Sequence, residues 1–285
     1  MRLHESDIKT REVLGWTGLH LFHYDASSCS QKVRIFMNLK GISYKSHVID
    51  ITTNANITEY YLGINPRGLV PTLVHDGDVH IESNDILTYL EGLYPDPPLI
   101  PPGFADEVAT LMRYVDDLNL DFRTIMLRFL APSHPPKSTE ELERYATKGT
   151  GTVGGVPDTD LKKEIAFWTR FADGGISDEA ARQSVQAFRK AFGEIEQRLV
   201  HHPYLMGDAV SVLDIAWLIY VERLRLCGYP VMRMHPRLGL WANKLSAHPA
   251  FEQEITMSPE FAAYVEMERK AMVVAGRTLQ SVCKL

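Results

Sequence analysis

Ser27, Ser28, Cys29 and Ser30 fall on consecutive positions of the stretch ASSCSQKVRIF, so one turn carries three hydroxyls and a thiol. A single serine would be enough to cap a helix, since one hydroxyl oxygen can accept from the free N–H groups of the first turn. The thiol goes beyond capping. At a helix N-terminus the partial positive charge favours a thiolate, and a neighbouring hydroxyl can donate to it. Cys29 keeps two readings. It is either a small apolar residue packed against the sheet or a nucleophile that forms a mixed disulfide.

Two further groups complete the chemistry. In NPRGLVPTL, Pro71 directly precedes a strand pattern, a place that a cis Val70–Pro71 bond would suit. That geometry would turn the Val70 N–H and C=O outward as a short edge for an extended peptide. In ESND, Glu82 and Ser83 stand at a helix start, where Glu82 could accept from an ammonium and the helix end attracts a carboxylate. A ligand with an amino group, a carboxyl group and an extended backbone would satisfy all three places, and a γ-glutamyl tripeptide has them.

The elements that must position these groups can be read in order. LHLFHY (19–24) has strand composition, and the period changes at Gln31 to a helix stopped by Gly41. YKSHVIDI (44–51) reads as a second strand. PTLVH and VHIES flank Asp76-Gly77-Asp78, an Asp-Gly hairpin turn. Ile86, Leu87, Leu90 and Leu93 then mark a helix. The N-terminal unit is therefore β-α-β, loop, β-β-α, over residues 18–96, behind an irregular extension at 1–17 whose Trp16 packs it down.

Pro95, Pro97, Pro98, Pro101 and Pro102 form a linker. Beyond it the pattern is helical across 104–256. Val108, Leu111, Met112, Val115, Leu118, Phe122 and Ile125 keep one face of a long helix, and Phe188, Phe192, Ile195 and Leu199 repeat it. Ser211 and Asp214 resemble a capping box, which makes Asp214 structural, and Trp217 and Trp241 belong to the core. A Gly-, Pro- and Thr-rich insertion at about 132–160 interrupts this domain, and 257–285 reads as a helix and tail. Tyr114, Asp117 and Arg123 either line a cleft or form a solvated face. Arg34 reads as a structural ion pair.

The chain has 285 residues and a formal charge of −6, which speaks against a nucleic-acid binder. No apolar run is long enough to span a bilayer, and residues 1–18 lack the apolar stretch of a signal peptide. The three cysteines, Cys29, Cys227 and Cys283, are too sparse for a disulfide framework, which suits a reducing, cytoplasmic setting. The eleven histidines show no metal-ligand spacing, so no metal is expected.

A β-α-β-β-α unit with VP before its third strand and ES after its fourth resembles the thioredoxin-like domain of the glutathione transferase superfamily. GDAVSVLDIAW resembles that superfamily's helical domain, and the likeness spans about residues 19–256. SSCSQKVRIFMNLKGI is similar to the zeta-class signature and to tetrachlorohydroquinone dehalogenases, while the enlarged helical domain resembles bacterial β-aryl etherases. The resemblance implies an α/β plus all-α fold, with glutathione as co-substrate. It places the catalytic role among Ser27, Ser28 and Cys29, with Ser27 donating to the glutathione sulfur. Val70 and Pro71 would hold the cysteinyl part, and Glu82 and Ser83 the γ-glutamyl end. The residue before VP usually reaches the glycine end. Here it is Leu69, which leaves Arg67 or the 52–60 loop to substitute. The implied enzyme binds a bulky aromatic electrophile between its domains and pairs as a homodimer or with a related chain. β-Aryl ether cleavage is the specific expectation. Reductive dehalogenation, maleylacetoacetate-type isomerisation and a non-catalytic binding module are the alternatives.

Overall fold

Leu19–His23 forms β1, buried at every residue, at the centre of a four-stranded sheet. β2 (Lys45–Val48) runs parallel to it, so the chain must cross over between them, and α1 (Ser28–Lys40) makes that crossing. β3 (Thr72–His75) pairs antiparallel on the other side of β1, and β4 (Asp78–His80) follows as a hairpin. The Asp76-Gly77 turn has positive φ at both residues, 49° and 85°, as the primed hairpin turns require. A Cβ on Gly77 would also lie 2.3 Å from the Leu14 carbonyl oxygen. α2 (Glu59–Leu62) precedes β3, and α3 (Ser83–Leu93) follows β4. The predicted second strand is shorter than its pattern, and Val48 is 60% exposed, because β2 is a sheet edge.

The remaining elements are mainly helical: α4 (Ala105–Asp117), α5 (Asn119–Phe129), α6 (Thr139–Thr147), a small hairpin of β5 (Thr152–Val153) and β6 (Val156–Pro157), and α7 (Thr159–Gly174). α8 (Asp178–Arg198) and α9 (Val212–Leu226) come next, followed by α10 (Val231–Met234), α11 (Pro236–Ser246), α12 (Pro249–Ile255), α13 (Pro259–Val274) and α14 (Leu279–Cys283). The long helix expected from 108 to 125 is two helices. A three-residue turn, closed by Leu118 N–H donating to Val115 C=O at 3.3 Å, ends α4, and Leu118 C=O starts α5 by accepting from Phe122.

The computed structural model describes Met1–Leu285 as two units: Met1–Tyr94 with Pro135–Gly175, and Pro95–His134 with Ile176–Leu285. The segment read from sequence as an insertion in the helical domain thus folds with the sheet. Its polar surface reads as loop, but Tyr145 and Leu161 pack with Ile57 and Leu62, and Val153 enters the sheet core. Leu3, Ile8 and Val13 of the extension join that same core, with Phe22, Tyr61, Val74 and Val79. Leu3 N–H also donates to Val79 C=O at 2.8 Å, which occupies the open edge of β4. Trp16 stacks on His20 and His47 with centroids 4.4 and 4.9 Å away.

In the helical unit α5 packs on α8 and α9, and Phe122 stacks on Tyr220 at 4.5 Å. Asp214 is fully buried and accepts from Ser211 N–H and O–H, Leu205 N–H and Trp241 Nε1–H. Trp217 and Trp241 are buried there.

Candidate active site

Ser27 is the N-cap of α1. Its backbone is extended at φ −73° and ψ 121°, and its Oγ accepts from Ser30 N–H at 3.3 Å. A hydroxyl that accepts through a lone pair still has its own hydrogen to give, and no acceptor within the chain takes it. Ser28 and Cys29, the first two helical residues, are half-buried and their side chains have no hydrogen-bonding partner. Ser30 faces inward instead and accepts from Tyr24 N–H at 3.3 Å. Cys29 is partly open to solvent at a helix N-terminus, which is compatible with either reading of it. The other thiols differ. Burial pushes Cys227 up to about 12 and Cys283 up to about 11, which leaves both protonated at neutral pH.

The Val70–Pro71 bond is cis. Val70 lies just before β3, and neither its N–H nor its C=O is bonded within the chain, so an extended peptide can pair there. Leu69 offers less. Its side chain is half-buried, and its carbonyl already accepts from Tyr61 Oη at 2.7 Å and Asn65 Nδ2 at 2.8 Å.

Glu82 stands at the N-cap of α3 with φ 65°, a left-handed conformation uncommon for a side chain of this size. Its carboxylate accepts from Arg67 Nη1 at 2.7 Å. Arg67 is buried and held on its other edge by Asp158, Nε to Oδ2 and Nη2 to Oδ1, both at 2.8 Å, with Asp160 3.2 Å from Nη2. Burial alone would weaken its charge, but the bonds to Asp158 and Glu82 hold its pKa above the ordinary arginine value. Arg67 is thus committed inside the protein, to Asp158 and Glu82. In the 52–60 loop, Asn54 is likewise engaged, by Glu141 at 2.7 Å. Around Arg67 stand the carboxylates of Glu82, Asp158 and Asp160, the last also paired with Lys163.

Ser83, also buried, accepts from Lys32 Nζ at 3.2 Å, and Lys32 donates as well to Asn84 Oδ1 at 2.8 Å. This ammonium is 3% exposed and pairs only with neutral oxygens, so it adds positive charge to the α3 N-terminus. Lys32 and Asp158 escaped the sequence reading. Lys32 sits mid-helix like any surface lysine, and Asp158 lies far along the chain in a loop-like segment.

Arg34 is structural, donating to the Tyr24 and Asp25 carbonyls. In the helical unit Tyr114 lines a cavity of about 270 Å³ with Leu111, Leu213 and Trp217, whereas Asp117 and Arg123 do not. No cluster of His, Cys, Asp or Glu side chains is disposed to hold a metal ion, and no helix is long and apolar enough to cross a membrane.

Comparison with known proteins adds to this geometry. A zeta-class glutathione S-transferase from Euphorbia esula is 45% identical over 83 residues, so the chain spans under two fifths of that relative, 37%. LigF of a Sphingobium strain is 26% identical over 82% of this chain and 92% of its own; its crystal structure, described as a β-etherase, superposes with a TM-score of 0.70 over 84% and 98% at 24% identity. A maleylacetoacetate isomerase from Pseudomonas aeruginosa is 38% identical over 82% of this chain and 94% of its own. The family models "Glutathione S-transferase, N-terminal domain" and "Glutathione S-transferase, C-terminal domain" match residues 21–98 and 178–252. With the Val70 edge and the capped first helix in place, the chain belongs to the glutathione S-transferase family of enzymes.

Proposed function

We propose that the protein activates glutathione as a thiolate and uses it to displace an aryloxide from a β-aryl ether. The observation that carries the reading is Ser27: a cap that accepts from Ser30 and keeps its O–H for a sulfur at the α1 N-terminus. The Val70 edge pairs with the cysteinyl backbone, and Glu82 and Ser83 receive the γ-glutamyl amine and carboxylate. A donor and a helix N-terminus both favour the charged sulfur, so its pKa falls below the free thiol value. The thiolate attacks the carbon bearing the aryloxy group. A C–S bond forms as the C–O bond breaks, and the phenolate leaves with the electron pair and takes a proton from water. The likeness to LigF over most of the chain supports this choice of leaving group.

Cis–trans isomerisation of a maleylacetoacetate-type dienone is the second reading, favoured by the 38% identical isomerase. There glutathione adds reversibly and is not consumed. Incubation with glutathione and each substrate class, followed by mass spectrometry, decides between them. A glutathione thioether plus free phenol supports etherase chemistry. Turnover of the dienone alone, with glutathione recovered, refutes it.

A further inference from the structure

We propose that Asp158 is a positioning residue for the amino group of glutathione, acting through Arg67 on Glu82; this rests on glutathione being the ligand of the site. The segment from 135 to 175 adds an aspartate to the sheet unit at the point where Glu82 is held. Asp158 is fixed first. It is 7% exposed, caps α7, and accepts from Asp160 N–H at 3.2 Å and Leu161 N–H at 3.3 Å. Arg67 is fixed next, its backbone N–H donating to Asn65 Oδ1 at 3.0 Å and its carbonyl accepting from Tyr145 Oη at 2.5 Å. Its fork meets Asp158 edge-on, which consumes Nε and Nη2 and leaves Nη1 for Glu82.

That division of donors is the device. With Asp158 present, Arg67 contacts Glu82 through one oxygen, Oε1, and so aims the carboxylate. With Asp158 gone, Nη2 keeps only Asp160, at 3.2 Å, and the guanidinium can turn to take Glu82 as a bidentate partner, with which a ligand ammonium must then compete. Asp158 therefore tunes how strongly Glu82 responds to a positive charge from outside.

The test compares glutathione with glutaryl-cysteinylglycine, the same tripeptide without its α-amino group, by isothermal titration. Asp158→Asn keeps a good helix cap and removes the charge. It is expected to weaken glutathione about tenfold, the scale of one charge-assisted hydrogen bond. The deamino analogue should shift less than about twofold. A merely structural role would weaken both ligands alike, and that result, or no change for glutathione, overturns the inference. Asp158→Ser, also a capping residue, carries the same expectation should the asparagine variant fold poorly. Glu82→Gln is the control. If it abolishes the preference for glutathione while Asp158→Asn and Asp158→Ser do not weaken it, Asp158 is excluded and the reading of Glu82 stands. If wild-type protein does not discriminate the two ligands, or binds neither, the reading of the site falls together with the inference.

Discussion

Replacing Ser27 separates the two roles that one hydroxyl plays. As a cap, its oxygen accepts from Ser30 N–H at 3.3 Å, which is long for such a bond. Ser27→Ala should therefore cost about 0.5–1 kcal/mol of stability, the lower part of the capping range. As a donor to an anionic sulfur, the O–H contributes about 1.5–3 kcal/mol, which at about 1.36 kcal/mol per pKa unit raises the bound thiol by about 1–2 units when it is lost. Ser27→Asp uncouples the terms. Aspartate caps as well as serine, but at neutral pH it can only accept, and its charge repels a thiolate. Thermal melting should then place Ser27→Asp near wild type and Ser27→Ala slightly below. Thiolate ultraviolet absorbance of the glutathione complex against pH should order the bound pKa as wild type, then alanine, then aspartate. A Ser27→Ala complex with an unshifted thiol, beside the expected loss of melting temperature, would reduce Ser27 to a cap and refute the reasoning.

Other expectations are more local. Asp214→Ala strips the acceptor from four buried donors on Ser211, Leu205 and Trp241. It should cost about 3–5 kcal/mol in denaturant unfolding; a loss within that of a surface substitution would refute it. Burial, with the nearby Arg34 charge, holds His23 down to about 4 from 6.5, so between those pH values the unfolded chain takes up a proton that the folded one refuses. Stability is therefore lost as pH falls through that window, by about 3 kcal/mol at most, and the urea midpoint of His23→Gln should fall less steeply than wild type between about pH 7 and 5. Asp7 accepts from Gly154 N–H and from Thr152 Oγ1, both at 2.7 Å. Asp7→Ala should thus speed proteolytic nicking at Gly154–Gly155; unchanged cleavage would show that the hairpin holds without it. Cys29→Ser should leave ether displacement largely intact, whereas arrest at a glutathionylated enzyme in the wild type alone would hand the chemistry to the thiol.

Local signals in the sequence located Ser27, Pro71, Glu82 and the Asp76-Gly77 turn, because capping, the proline ring and positive φ are constraints of a few adjacent residues. The β-α-β, loop, β-β-α order of elements was legible for the same reason, from strand patterns, turn residues and a crossover helix. What stayed hidden is long-range. Arg67 looked like a surface cation free for the glycine end, since its partner Asp158 is 91 residues further along the chain, in a segment that reads as loop. The break at Leu118 carries neither Pro nor Gly, and the apolar period runs straight through it. Nor could spacing reveal that the glycine-rich segment docks on the sheet unit, because Val153 and Tyr145 are isolated apolar residues in a polar stretch.

Leu3, Ile8, Val13 and Val153 sit in one apolar cluster with Phe22 and Val79. A fragment cut to the family-model boundaries, 21–98, would leave Tyr61, Val74 and Val79 facing water on the side those residues now cover. Such a fragment invites aggregation, and grafting this thioredoxin-like half onto another helical partner will succeed only if both flanking pieces travel with it.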